Sequence, residues 1–224
     1  IEECINGQVV YPDSVSGKSF RSIVHEFTVG SPWDELGIDL CLGSEADKEI
    51  GKRLQMFAPF YMKRYASDAY IVDKTGVRRP LVLEEIKVVD VEPEVAEPGF
   101  VLSPMACASL FLALWWGWDV LLYAFQGLAG CIIAFLFFFS VHPTVGSNWL
   151  LILFNPIPLF YLPVMIYKDV KHKKDAYHVV NLVYLTLFIV ILPFCGQEFN
   201  LTVLPLALGL LVNSASHILV WNKK

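Results

Sequence analysis

Between Val88 and Asn222 the only Lys or Arg side chains are Lys168, Lys171, Lys173 and Lys174, gathered within seven residues and flanked by long apolar runs. Lys and Arg in short loops stay on the cytoplasmic side of a bilayer, because carrying them across during insertion is costly. Residues 168–176 are therefore expected inside the cell, and they orient every apolar segment counted from them. A solvated loop between two core helices of a soluble protein does not need flanks this long and this apolar.

Five apolar segments can be counted, at residues 102–118, 121–141, 148–167, 177–195 and 201–220. At about 1.5 Å per residue each covers roughly 25 to 32 Å, enough for a hydrocarbon core of about 30 Å. The first division rests on Trp115, Trp116, Trp118 and Asp119. Tryptophan favours the interface and an unpaired aspartate avoids the bilayer centre, so a tight hairpin is expected there rather than one helix over 102–141. Counting from the lysine loop then puts 142–147 and 197–200 outside, the Trp118-Asp119 turn inside, Lys223-Lys224 inside and residues 1–100 outside. A single helix over 102–141 would move residues 1–100 inside.

Charge divides the chain at the same place. The first 100 residues hold 18 of the 22 acidic side chains and 11 of the 17 Lys and Arg. The expected architecture is an α+β soluble region at 1–100, the C-terminal part of a periplasmic domain, followed by an all-α polytopic membrane domain of about five transmembrane helices at 101–224. An acidic soluble region without a basic stripe excludes nucleic acid as a partner. The chain opens on Ile1-Glu2-Glu3 with no signal peptide, so an N-terminal portion of the same protein is expected upstream. Cys107, Cys131 and Cys195 fall in apolar runs as small packing residues, whereas Cys4 and Cys41 could pair in an oxidising compartment.

Within the soluble region, Gln8 to Tyr11 has strand character, and Phe20, Ile23, Val24 and Phe27 recur on one helical face between Lys18 and Thr28. Ser31-Pro32-Trp33-Asp34-Glu35 gives a helix start, with an N-cap serine, a proline at the first position and acids in the first turn. That helix is expected to end near Gly43. A longer helical stretch from about Glu45 to Tyr65 carries Pro59, which divides or kinks it. Strands are expected at 69–72, 81–83 and 86–91 around an Asp73-Lys74-Thr75-Gly76 turn, and 92–100 reads as a linker.

No His-Glu-x-x-His, Gly-x-Ser-x-Gly, phosphate loop or Cys-x-x-Cys occurs, so the spacing of residues assigns no catalytic group, metal or cofactor. His25, on the polar side of its helix, reads as solvated. Asn213 and His217 lie four apart in the last segment and share a face, which suits an interhelix hydrogen bond. The outer mouth between the second and third segments gathers His142, Asn148, Trp149 and Asn155. There Pro156 and Pro158 remove backbone donors, and irregular backbone at that depth must be buried in protein or line a wet cavity. These four are the candidate substrate-binding residues.

Two stretches carry a family resemblance. Ser31-Pro32-Trp33 through Gly37-Ile38-Asp39-Leu40, Met56-Phe57-Ala58-Pro59-Phe60-Tyr61 and Arg79-Pro80-Leu81-Val82 form the first. His142-Pro143, Asn148-Trp149 and Asn155-Pro156 form the second. Together these resemble the Lnb-type lipoprotein N-acyltransferases of Bacteroidetes. The family's nucleophile lies in an Asn-Cys-x-Thr-Arg element, and Cys4, preceded by Glu3 and followed by Ile5-Asn6-Gly7, does not match it. The resemblance therefore implies a catalytic cysteine upstream and transfers no catalytic residue onto this sequence.

The resemblance implies a multi-pass inner-membrane acyltransferase that moves a fatty acyl chain to the N-terminal amine of bacterial lipoproteins, with membrane lipid and lipoprotein as partners. The alternative is a non-catalytic membrane module whose periplasmic domain binds a partner.

Overall fold

The computed structural model describes residues 5–13, 15–88, 103–114 and 119–221. The chain divides into two compact units, one joining Ile1–Ile23 to Glu49–Val101 and the other joining Val24–Lys48 to Leu102–Lys224. Residues 24–48 thus cluster with the helical half, where charge alone had drawn one boundary at residue 100.

The first unit contains three short antiparallel strands, β1 (Gln8–Val10), β2 (Tyr70–Val72) and β3 (Arg78–Pro80), in the order β1-β2-β3. Val9 pairs with Ile71 and Ile71 with Arg79. The β2–β3 turn is set by Asp73, whose carboxylate accepts from the N–H groups of Thr75 at 2.8 Å and Val77 at 3.0 Å. Gly76 supplies the left-handed conformation that the turn requires, at φ +86°. Because the turn closes at Val77, the third strand begins at Arg78. The expected strand at 81–83 is absent, residues 86–88 are not strand either, and 89–91 lie outside the described residues, as does the linker at 92–100.

The helices of this unit are the first turn of α1 (Phe20–Thr28), α3 (Lys52–Gln55) and α4 (Pro59–Ser67). The expected stretch from 45 to 65 is divided at Gly51 and at Pro59, which opens α4 where its missing N–H costs nothing. Ile23, Ile50, Ala58, Tyr61 and Tyr65 make the core. Fully buried Gln55 donates to the carbonyls of Val15 at 2.8 Å and Ile50 at 2.9 Å and accepts from the Tyr65 hydroxyl, so its amide is not left unpaired.

The second unit is helical: α2 (Pro32–Cys41), α5 (Pro104–Leu114), α6 (Asp119–Phe139), α7 (Leu150–Leu153), α8 (Ile157–Val170), α9 (Tyr177–Ile191) and α10 (Val203–Trp221). Four stretches are long and apolar enough to cross a membrane: Asp119–Phe139, Leu150–Val170, Tyr177–Phe194 and Val203–Val220. α5 is the described part of the first expected segment. Ala108 on α5 and Ala129 on α6 line one cavity. On a single straight helix they would stand about 30 Å apart, so the chain reverses between them. Residues 115–118, where the tryptophan hairpin was expected, lie outside the described residues.

α6 packs on α8, α9 on α10, and α5 on α10. Gly127 makes the first contact possible, since a Cβ there would strike the backbone of Leu159. Tyr123, Leu153, Met165, Leu185, Phe188 and Leu210 are among the buried core residues.

The two ends of this bundle differ. At one, α8 runs into the lysine loop, where Lys168 Nζ donates to the Tyr161 hydroxyl at 2.6 Å and reaches Asp175 at 3.1 Å. Beside it Asp119 meets His217 Nε2 at 2.8 Å and also accepts from Asn213, so the shared face of residues 213 and 217 does make an interhelix hydrogen bond. The His178 ring stacks on His217 with centroids 4.1 Å apart, and Tyr123 donates to Asn213 at 2.7 Å. At the opposite end, the loops before α7 and α10 meet α2 and the turn that follows it.

Candidate functional site

α2 begins at Pro32, with Asp34 and Glu35 in its first turn. Ser31 precedes it, but its side chain makes no cap hydrogen bond. Trp33, Leu36 and Leu40, spaced three and four apart, share one helical face and line the cavity. Asp39 stands to the side of that face and is buried.

The end of α2 is fastened to the bundle through backbone. Gly43 N–H donates to the Thr144 carbonyl at 2.8 Å, and the Ser44 N–H and hydroxyl both donate to the Ser147 carbonyl at 3.3 Å. A Cβ at Gly43 would collide with the Gly146 carbonyl, so only glycine allows this approach. Asn148 Nδ2 donates to the Leu40 carbonyl at 2.9 Å, while its Oδ1 accepts from Leu150 N–H at 3.0 Å and Gln197 Nε2 at 3.2 Å. Gln197 also donates to the Leu42 carbonyl at 3.1 Å and accepts from Trp149 N–H at 3.0 Å.

A polar triad stands at this rim. His25 Nε2 lies 2.8 Å from Asp39 Oδ1, and Asn200 Nδ2 donates to Asp39 Oδ2 at 3.2 Å. An imidazole oriented by a buried carboxylate is a proton acceptor held in one position. His25, Glu35 and Asp39 also bring three possible ligand atoms within 4.8 Å of one another, although both Asp39 oxygens already accept hydrogen bonds. Burial pushes the Cys41 thiol above its ordinary value, which leaves it a poor nucleophile. Cys4, its expected partner, lies outside the described residues.

Beneath the rim is a cavity of about 270 Å³ walled by α2, α5, α6, α10 and Phe154. Its wall is apolar apart from Gln126 on α6, the Trp33 indole, the Cys107 thiol and the Thr202 hydroxyl. Such an apolar volume suits a hydrocarbon chain.

The four residues singled out from the sequence fall in this region but do not form one cluster. His142 is exposed, and its Nδ1 lies 2.6 Å from the Thr144 hydroxyl. Asn148 is buried and joins the loop to α2, with Trp149 beside it, 36% exposed. Asn155 sits at the break between α7 and α8, accepting from Ile157 N–H at 3.1 Å, with Pro156 just before α8 and Pro158 in its first turn. Among the described residues no hydrogen bond joins any of the four to another.

Sequence reading passed over His25, Asp39, Gln197, Asn200 and Gln126. His25 is not simply solvated, because Asp39, fourteen residues on, returns to it. The available signals were the polar pair in the short loop between the last two spans and a single amide inside an apolar run.

The family model of the Lnb transmembrane domain matches residues 96–224. No curated protein and no solved structure matches the chain.

Proposed function

We propose that this chain, which belongs to the Lnb family by its transmembrane domain, is the membrane-anchored part of an acyltransferase that moves a fatty acyl chain to the N-terminal amine of bacterial lipoproteins. The cavity is the observation that supports this reading: an apolar slot between α2, α5, α6 and α10, next to a rim that holds His25, Asp39 and Asn200. A non-catalytic anchor has no need of an apolar void beside an oriented imidazole.

In this reading a cysteine thiolate from the upstream part of the protein attacks an ester carbonyl of a membrane lipid, the C–S bond forming as the C–O bond breaks and the lipid leaving as an alcohol once protonated, and the acyl chain of the resulting thioester occupies the cavity. The lipoprotein amine attacks the thioester carbonyl, the C–N bond forms as the C–S bond breaks, and a base takes the amine proton. With His25 Nε2 on Asp39, Nδ1 is the nitrogen that takes that proton. The rim faces the periplasm and the lysine loop the cytoplasm, on the charge argument. His142, Asn148 and Trp149 line the approach of the lipoprotein head.

The test is mass spectrometry of a diacylated lipopeptide incubated with phospholipid and the full-length protein. Wild type is expected to add one acyl chain, and Ala129→Trp, which fills the cavity, to be at least about tenfold slower, a loss of about 1.4 kcal/mol. A full-length wild type that adds none would favour the non-catalytic module. Unchanged transfer by a folded Ala129→Trp would remove the cavity from the reaction.

A further inference from the structure

The stretch from Phe27 to Trp33 carries no charge, while Glu26 before it and Asp34 after it are exposed acids. It joins α1 to α2 through a tight turn, in which Gly30 takes the left-handed conformation at φ +91° and Ser31 N–H donates to the Thr28 carbonyl at 2.9 Å. A turn bonded to itself in this way tolerates surroundings where water is scarce. Three large apolar side chains stand outward from it: Val29 is 83% exposed, Phe27 51% and Trp33 45%. Apolar groups gathered on a surface mark an interface with a partner or a membrane.

The depth of this turn follows from the helices beneath it. Asp119, the first residue of α6, meets His217 at 2.8 Å, so these two positions share one depth in the bundle. From His217 the chain of α10 leads back to its start at Val203 over about 21 Å, and from Asp119 α6 climbs to Phe139 over about 30 Å. The last turns of α6 therefore rise roughly 9 Å beyond the start of α10. Phe135, Phe138 and Phe139 on those turns are exposed, and a full bilayer crossing sets them in hydrocarbon. α2 packs on α6, and its Asp39 accepts from Asn200, just before α10, so α2 fills the layer that α10 leaves vacant. That layer matches the depth of about 5 to 10 Å at which interfacial helices lie.

We propose that the α1–α2 turn and the start of α2 insert into the phospholipid leaflet at this end of the bundle. Phe27, Val29 and Trp33 lie among the acyl chains, and Glu26 and Asp34 stay at the headgroups. Tryptophan at such a boundary is at its preferred depth. The bilayer is favoured over a second copy of the chain because the turn lies at the depth of the lipid-facing residues that end α6. Trp33 also lines the cavity, so the cavity meets the leaflet sideways at this residue. The inference goes beyond acyl transfer and holds equally for a non-catalytic anchor.

The experiment encodes a fluorescent amino acid at Val29 of the full-length protein, reconstituted in phosphatidylcholine bilayers. Its quenching is read with aqueous iodide and with phosphatidylcholine bearing a nitroxide on the acyl chain. Phe160, exposed on α8, and Lys173, in the lysine loop, are the lipid and water references. The label at Val29 is expected to follow Phe160, with nitroxide quenching at least about threefold that at Lys173 and little response to iodide. The same label at Ser31 repeats the reading should the Val29 variant not fold. Iodide quenching as strong as at Lys173 overturns the proposal. Shielding from both quenchers, which a protein seated on the turn would give, overturns it as well.

Discussion

The Asn148 amide donates to the Leu40 carbonyl at 2.9 Å, joining the loop before α7 to the last turn of α2 across 108 residues of sequence. The same side chain caps α7 through Leu150 N–H and takes a bond from Gln197. Replacing Asn148 with Leu would leave the Leu40 carbonyl, the Leu150 N–H and the Gln197 amide each short of a partner. At roughly 1 to 3 kcal/mol per buried group, only partly compensated by water, a loss of about 2 to 4 kcal/mol is expected. Hydrogen exchange should locate it, with faster exchange across residues 32–41 than in wild type. Unchanged protection of α2 would mean that these bonds do not hold it.

Asp39→Asn tests the rim triad separately from the cavity. It keeps the volume but removes the carboxylate that holds His25 in place, so acyl transfer by the full-length protein is expected to fall at least about tenfold with little change in abundance. His142→Ala is likewise expected to be well expressed and at least about tenfold slower, because its side chain is exposed at the mouth. Wild-type rates in both variants would take proton transfer and lipoprotein contact away from this end of the bundle.

At the lysine end, burial alone would raise the Asp175 carboxyl, but the Tyr177 N–H, the Tyr161 hydroxyl and the Lys168 ammonium outweigh it and hold the group below its ordinary 3.8. A carboxyl lowered by folding adds stability that is present above the ordinary value and lost as pH falls through the folded one. Thermal stability in detergent should therefore fall in the acid range below about pH 4, and Asp175→Asn should flatten that dependence. An identical acid limb in the variant would show that Asp175 does not carry it.

Sidedness can be read with a membrane-impermeant thiol reagent on spheroplasts. A cysteine introduced at Gly76 should be labelled and one at Lys173 should not. The reverse pattern would invert the assignment, leaving the fold intact but placing the triad in the cytoplasm.

The membrane half was legible because span length and apolarity act through the bilayer, independently of which helix packs on which. Four of the five segments end within a few residues of the helices observed. Pro32 marked a helix start and Pro59 a division of the longer stretch for the same local reason, since proline favours the first turn and is excluded from a helix interior. The third strand was misplaced because its position depends on where the Asp73 turn closes, and side-chain alternation does not report that. The rim was harder still. Asn148 meets Leu40 where Gly43 lets one backbone lie against another, and His25 meets Asp39 across the turn at Gly30, and nothing in residue spacing announces either contact.

The most direct measurement is photocross-linking of the full-length protein with a phospholipid whose acyl chain carries a carbene-generating group, followed by peptide mapping. If the acyl chain lies in the cavity, adducts should concentrate on Leu36, Leu40, Ala129 and Leu206 and disappear in Ala129→Trp. Adducts confined to outward-facing residues such as Phe135, Phe138 and Phe160, equally abundant in Ala129→Trp, would contradict an acyl site between α2, α5, α6 and α10.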